Sequence, residues 1–166
     1  MSNEIEFVEL VKNNEGLIHK VTGLYTDTAH DREDLYQEII YQLWKSYKSF
    51  KGDSKITTWL YKVALNTAMV NLKKRKKRKN TNSIDDQVLE IAAHDNSIES
   101  EKVEFLTRSI KKLNEIERTI MVCYLEGKSH DEISQIVGFN KSNVGTRIGR
   151  IKNKLREQLK SEEDGI

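Results

Sequence analysis

Residues 129–152 read SHDEISQIVGFNKSNVGTRIGRIK, and the order of cap, apolar steps and glycine within them decides the fold. Ser129 stands three residues ahead of Glu132, the reciprocal cap that opens a helix. Ile133, Ile136 and Val137 then turn one helical face inward, and Gly138 can take the left-handed conformation a tight turn needs. A second helix follows Gly138-Phe139-Asn140 and should continue to about Leu159, with Val144, Ile148, Ile151 and Leu155 as its seam at three- and four-residue steps. This is a helix-turn-helix pattern, whose second helix can enter the major groove with its N-terminal half. Lys141, Ser142, Asn143, Thr146, Arg147 and Arg150 lie largely off the seam, placed to meet phosphates and base edges. Gly145 and Gly149 would let a DNA backbone approach closely, although each lowers helix propensity by roughly 1 kcal/mol relative to alanine. The plain alternative is a helical hairpin with a solvated basic face. Capping, the glycine turn and one-sided charge together favour DNA.

Upstream, Asn114-Glu115-Ile116-Glu117 repeats the polar cap with glutamate three residues on, so helices start near Glu115 and His130, the first ending at Gly127. This helical unit begins near Ile98. Before it, about Asn80 to Asn96 is polar, acidic and without sustained periodicity, which reads as a linker with room for one helical turn near Val88 to Ala92. The division is thus 1–79, a linker over 80–97, and 98–166.

The first part is helical as well. Ile5, Val8, Leu10 and Val11, then Leu17, Ile18, Val21 and Leu24, recur at helical spacing, and Asn13, Asn14 and Gly16 break the stretch in two. Asp31 is the expected cap of the next helix, with Glu33 and Asp34 in its first turn, and the helix reaches about Tyr47. Projected at about 100° per residue, Leu35, Ile39, Ile40, Leu43, Trp44 and Tyr47 gather on one face, while Asp34, Gln37, Glu38 and Tyr41 gather opposite. The first set is core. The second is an acid-and-amide face free to meet a partner. Ser46 to Lys55 reads as a loop, with Gly52 as a turn and Asp53 or Ser54 capping a helix that carries Ile56, Trp59, Leu60, Val63, Ala64 and Leu72. That helix runs directly into KKRKKRK, Lys73 to Lys79.

The composition agrees with small helical units. Of 166 residues, 37% are apolar and 33% charged, and proline is absent, so no helix lacks an N–H donor. The net charge of +2 hides segregation, because Lys73 to Lys79 alone carries seven cations and the remainder is net acidic. Two basic stretches, the second between Lys141 and Lys160, suit two surfaces for a polyanion. Cys123 has no partner for an internal disulfide and reads as a buried thiol. No stretch is apolar enough to span a membrane, and the acidic start MSNEIEFVEL lacks the pattern of a signal peptide, so a soluble, reduced, cytoplasmic protein is expected. His19, His30, His94 and His130 are scattered with no metal-ligand spacing or nucleophile-base constellation, so neither a cofactor nor an enzyme is expected.

GKSHDEISQIVGFNKSNVGTRIGRIKNKLRE resembles region four of the sigma-seventy family, which reads the promoter minus-thirty-five element. DREDLYQEIIYQLW, Asp31 to Trp44, resembles the polymerase-docking helix of region two, and ITTWLYKVALNTA, Ile56 to Ala68, the helix that opens and reads the minus-ten element. Their order and spacing resemble the small extracytoplasmic-function (ECF) group, over about Glu4 to Leu159. The resemblance implies an all-α fold of two small helical domains joined by a flexible acidic linker, which lies along the positive path used by nucleic acid and yields to emerging RNA.

It also implies roles. Asp34, Gln37 and Glu38, with Tyr41 on the same face, would dock on the beta-prime clamp helices of core RNA polymerase. The loop from Phe50 to Lys55, with Lys51 and Asp53, would hold a flipped-out base. Trp59 would sit at the upstream edge of the bubble, with Lys62 and Asn66 on the minus-ten element and Lys73 and Lys74 on phosphates. Thr146 and Arg150 would read or closely flank bases of the minus-thirty-five element, and the beta flap and an anti-sigma factor are implied as further partners. The chain departs from the family at Leu65 and Val70, where arginine and aspartate are common, at Asn114, where proline is, and at Gly145 and Gly149, where larger residues are. Each role has a bland counterpart: Trp59 as core, Asp34 and Glu38 as a solvated face, Lys73 to Lys79 as a solubilising tail. The main rival function is a helix-turn-helix regulator that works without polymerase, which would leave the first two helical stretches idle.

Overall fold

The computed structural model describes residues 2–81 and 98–165, and among these every regular element is a helix. They run α1 (Ser2–Asn13), α2 (Glu15–Tyr25), α3 (Ala29–Tyr47), α4 (Ile56–Thr81), α5 (Ile98–Lys111), α6 (Glu115–Leu125), α7 (His130–Val137) and α8 (Lys141–Asp164). The chain divides between α4 and α5 into two compact units. The fold class is all-α, as expected.

In the first unit, Ile18, Val21 and Tyr25 of α2, Leu35, Ile39 and Leu43 of α3, and Leu60, Ala64, Leu65 and Ala68 of α4 are wholly buried. Three helices with one apolar stripe each cover one another completely, which is the least that a core of this size requires. α1 packs on α2 and α3 by a different face from that suggested by Ile5 and Val8, which are exposed. Phe7, Leu10 and Val11 also lie at i, i+3 and i+4, and this stripe faces inward because Phe7 finds Trp44 at 5.0 Å and Tyr47 at 5.4 Å.

Two caps differ from expectation. α3 starts at Ala29, and Thr28 is its cap: the Thr28 hydroxyl accepts from the Asp31 amide at 3.1 Å. Asp31 therefore sits in the first turn, Glu33 and Asp34 lie beyond it, and the Asp31 carboxylate is left for another use. α4 starts at Ile56, with the Lys55 carbonyl accepting from the Trp59 amide at 3.1 Å, so neither Asp53 nor Ser54 occupies the cap position. Gly52 does make the turn, at φ 77°. With no proline or glycine to stop it, α4 continues through the basic run to Thr81. The expected helical turn near Val88 to Ala92 lies outside the described residues.

The second unit is built around α6, in which Arg118 to Cys123 are consecutively buried because α5, α7 and α8 all pack against it. Its Arg118 donates to the Lys111 and Leu113 carbonyls, satisfying acceptors left over at the end of α5. Asn114 caps α6, accepting from the Glu117 amide at 2.9 Å. Both halves of the Ser129–Glu132 box are made, at 3.1 and 2.9 Å. Gly138 ends α7 at φ 84°, and Asn140 caps α8, which passes Leu159 to reach Asp164. Val144, Ile148 and Ile151 are buried along the α8 seam, and Lys154 pairs with Glu117 at 2.7 Å. A Cβ at Gly145 would meet the His130 ring at 3.4 Å, an ordinary van der Waals contact, so the crossing of α7 and α8 does not itself demand glycine there. Gly149 has open space around its Cα. Cys123 is buried, and desolvation pushes its thiol up to about 12. No helix of the described residues is long and apolar enough to cross a membrane.

Candidate partner and nucleic-acid interfaces

The outward face of α3 is set by its inward one. With Leu35, Ile39 and Leu43 at zero exposure, helical geometry turns Asp34, Gln37, Glu38 and Tyr41 to solvent, and Tyr41 is 56% exposed despite its ring. The carboxylates are held without being neutralised by a buried cation: Gln42 donates to Glu38 at 3.0 Å, and His30 Nε2 lies 3.3 Å from Asp34.

Between α3 and α4 runs a groove of about 520 Å³. Asp34, Glu38 and Gln42 form one wall, and Asn66, Thr67, Val70, Asn71, Lys74 and Arg78 form the other. Residues expected to dock a protein and residues expected to touch DNA thus meet in one groove. Lys62, Asn66, Lys73 and Lys74 are all exposed on α4. Of the two departures on this helix, Leu65 is fully buried and belongs to the core, whereas Val70 is 51% exposed within the groove.

The loop residues Lys51, Asp53 and Lys55 are exposed, while Phe50 is half-buried against Trp59, with ring centroids 5.3 Å apart. Trp59 in turn lies 6.2 Å from Tyr47. It is half-buried, so it contributes to the aromatic cluster and still presents an edge. Lys73 to Lys79 is not a uniform brush, because Arg75 turns inward. Its Nη2 donates to the Tyr25 carbonyl, its Nε to Asn71 at 2.7 Å, and its Nη1 lies 3.9 Å from Asp31. Burial lowers the Arg75 pKa, while Asp31 and then Asp27 act to raise it.

In the second unit the N-terminal half of α8 exposes Lys141, Ser142, Asn143, Thr146 and Arg150. Arg147 is partly covered: its guanidinium stacks over Phe139 at 4.2 Å and its Nε donates to Asn143 at 2.8 Å. Lys141 lies 3.6 Å from Asp131. Thr146 and Arg150, four residues apart, share one outward face.

The sequence reading missed Phe7, Thr28, Arg75 and Arg118. Arg75 carried a usable signal, since it falls three residues beyond Leu72 and continues the inward stripe of α4. Arg118 carried none, being one arginine in a capped, amphipathic stretch.

Two family models match this chain, Sigma-70 region 2 over residues 10–78 and Sigma-70, region 4 over residues 106–155. Between them they take in well over half of it, and the chain belongs to the sigma-70 family. Its type is the ECF one. It is similar to the ECF RNA polymerase sigma-E factor of Haemophilus influenzae, 26% identical over 155 residues, covering 85% of this chain and 82% of that protein. Against the ECF RNA polymerase sigma-E factor of Escherichia coli K12 the figures are 28% over 155 residues, 85% and 81%. Among solved structures, the sigma factor RpoE in complex with the anti-sigma factor NepR from Bartonella quintana matches with a TM-score of 0.76 at 19% identity, covering 93% of this chain and 97% of that one. CnrH in complex with the cytosolic domain of CnrY matches with a TM-score of 0.69 at 20% identity, covering 95% and 90%. At such identities these two speak for the fold.

Proposed function

We propose that this ECF sigma factor divides promoter selection between its two units in the following way. The acid-and-amide face of α3, Asp34, Gln37, Glu38 and Tyr41, docks on the beta-prime clamp helices and keeps the factor on core polymerase. Phe50, Lys51, Asp53, Lys55 and Trp59 take the upstream edge of the bubble and a flipped base. Lys62, Asn66, Lys73 and Lys74 hold the non-template strand around the minus-ten element, where phosphate neutralisation and stacking offset lost base pairing. Lys141, Ser142, Asn143, Thr146, Arg147 and Arg150 anchor the duplex through the major groove at the minus-thirty-five element, with the beta flap supporting that unit.

The observation that carries this reading is the α3–α4 groove, in which a carboxylate wall faces a wall of amides and cations. A regulator acting without polymerase has no use for it. The factor selects sites and performs no chemistry of its own, works in the cytoplasm, and is held silent by an anti-sigma protein, a reading supported by the likeness to RpoE, whose structure is a complex with the anti-sigma factor NepR. In vitro transcription from a promoter library, with and without the chain, tests the proposal. A chain-dependent set of start sites is expected. An unaltered set, together with no co-purification with core polymerase, would discard it in favour of the rival regulator.

A further inference from the structure

The inward stripe of α4 runs through Tyr61, Ala64, Leu65, Ala68 and Leu72 at three- and four-residue steps, all buried. The next position on it is Arg75, whose side chain is 14% exposed, and here the partners change from apolar to polar. Each guanidinium nitrogen has its own partner. Nη2 reaches the carbonyl of Tyr25, the last residue of α2; Nη1 faces Asp31 in the first turn of α3; and Nε bonds Asn71 one turn back on α4. A cation on the closing end of α2 and an anion in the opening turn of α3 are both in their favoured places.

We propose that Arg75 is a positioning residue: it fixes the last packed layer of α4 to the ends of α2 and α3, and so sets where the flanking Lys73 and Lys74 are presented to the DNA strand. Within the basic run it is thereby withdrawn from phosphate binding. Lysine cannot replace it, because a point charge on a flexible stem cannot serve three partners lying in different directions. The functional half of this inference rests on the sigma reading above.

The test uses the full chain carrying Arg75→Lys, Arg75→Ala or Asp31→Asn. With holoenzyme on a promoter that the unaltered chain transcribes, affinity for core polymerase should hold in all three. Open-complex formation should fall about fivefold or more with an unchanged salt slope, and amide exchange in residues 73–81 should accelerate to a similar degree. A phosphate contact predicts otherwise: Arg75→Lys would match the unaltered chain, and Arg75→Ala would reduce the salt slope by about 0.7. That pattern overturns the proposal, as does unchanged exchange in Arg75→Lys. Should Arg75→Ala fail to fold, the Arg75→Lys and Asp31→Asn arms decide. Failure of the unaltered chain to form open complexes would count against the sigma reading and leave the exchange result to judge Arg75.

Discussion

At the scale of the residue, the consequences turn on which side chains face out and which are buried. Asp34 and Glu38 are exposed and stand on the far side of α3 from its core, so replacing both with alanine should weaken binding to core polymerase while leaving helicity and melting temperature unchanged. Undiminished affinity in a titration with core polymerase would remove them from the docking face. Arg150 is exposed beside Thr146, and Arg150→Ala should cost about 1–3 kcal/mol on a matched minus-thirty-five site and far less on unrelated duplex. Equal losses on both DNAs would make it a phosphate contact. Cys123 gives a pH effect of definite sign. Its folded pKa is about 12 against an ordinary value near 9.0, so the folded state keeps a proton that the unfolded state releases. Stability from this group is whole below pH 9 and declines as pH rises towards 12, by about 1.4 kcal/mol per pH unit. Denaturant titrations at pH 8 and pH 10 should differ less in Cys123→Ala than in the unaltered chain.

At the scale of the element, the helix-turn-helix was legible because its punctuation is local. A cap with its glutamate, a left-handed glycine and a second cap are each decided by a few neighbouring atoms, and Ser129, Gly138 and Asn140 sit as their residue types require. The entry to α3 was not legible in the same way. Thr28 and Asp31 are both good caps; Thr28 takes the position, and the Asp31 carboxylate, in the first turn, lies 3.9 Å from Arg75, a partner far away in sequence. α1 was misread for a similar reason: two apolar stripes compete on one short helix, and the ring of Phe7 decides through Trp44 and Tyr47, far away in sequence. Local punctuation also predicts local cost. Ser129→Ala should lower the stability of the second unit by about 1 kcal/mol, because the Glu132 amide loses the hydroxyl it donates to, while the amide of residue 129 keeps the Glu132 carboxylate. Thermal melts would show this as a drop in Tm, and an unchanged Tm would mean that water replaces the box without loss.

At the scale of the whole molecule, the division of the core sets what each part can do alone. α2, α3 and α4 seal their apolar stripes against one another, and α6 is enclosed by α5, α7 and α8, so each core is completed by helices of its own unit. The sigma-70 regions follow the same division, region 2 within residues 10–78 and region 4 within 106–155. The proposed docking face and the α3–α4 groove belong wholly to the first unit, and the helix-turn-helix wholly to the second. Residues 1–81 alone should therefore fold and bind core polymerase within a few-fold of the full chain, yet fail to distinguish a promoter with its minus-thirty-five element from one without it. Residues 98–166 should show the reverse, adhering to duplex DNA with no measurable hold on the clamp helices. The asymmetry follows from where the carboxylates and cations lie. The first unit joins both signs of charge along one groove and can bridge protein and nucleic acid, whereas α8 begins with a run of polar and basic side chains suited to a duplex. Polymerase titrations and footprinting on paired promoters would measure both halves. A first fragment that folds but cannot hold polymerase would mean that docking needs both units, and that the acid-and-amide face of α3 is insufficient.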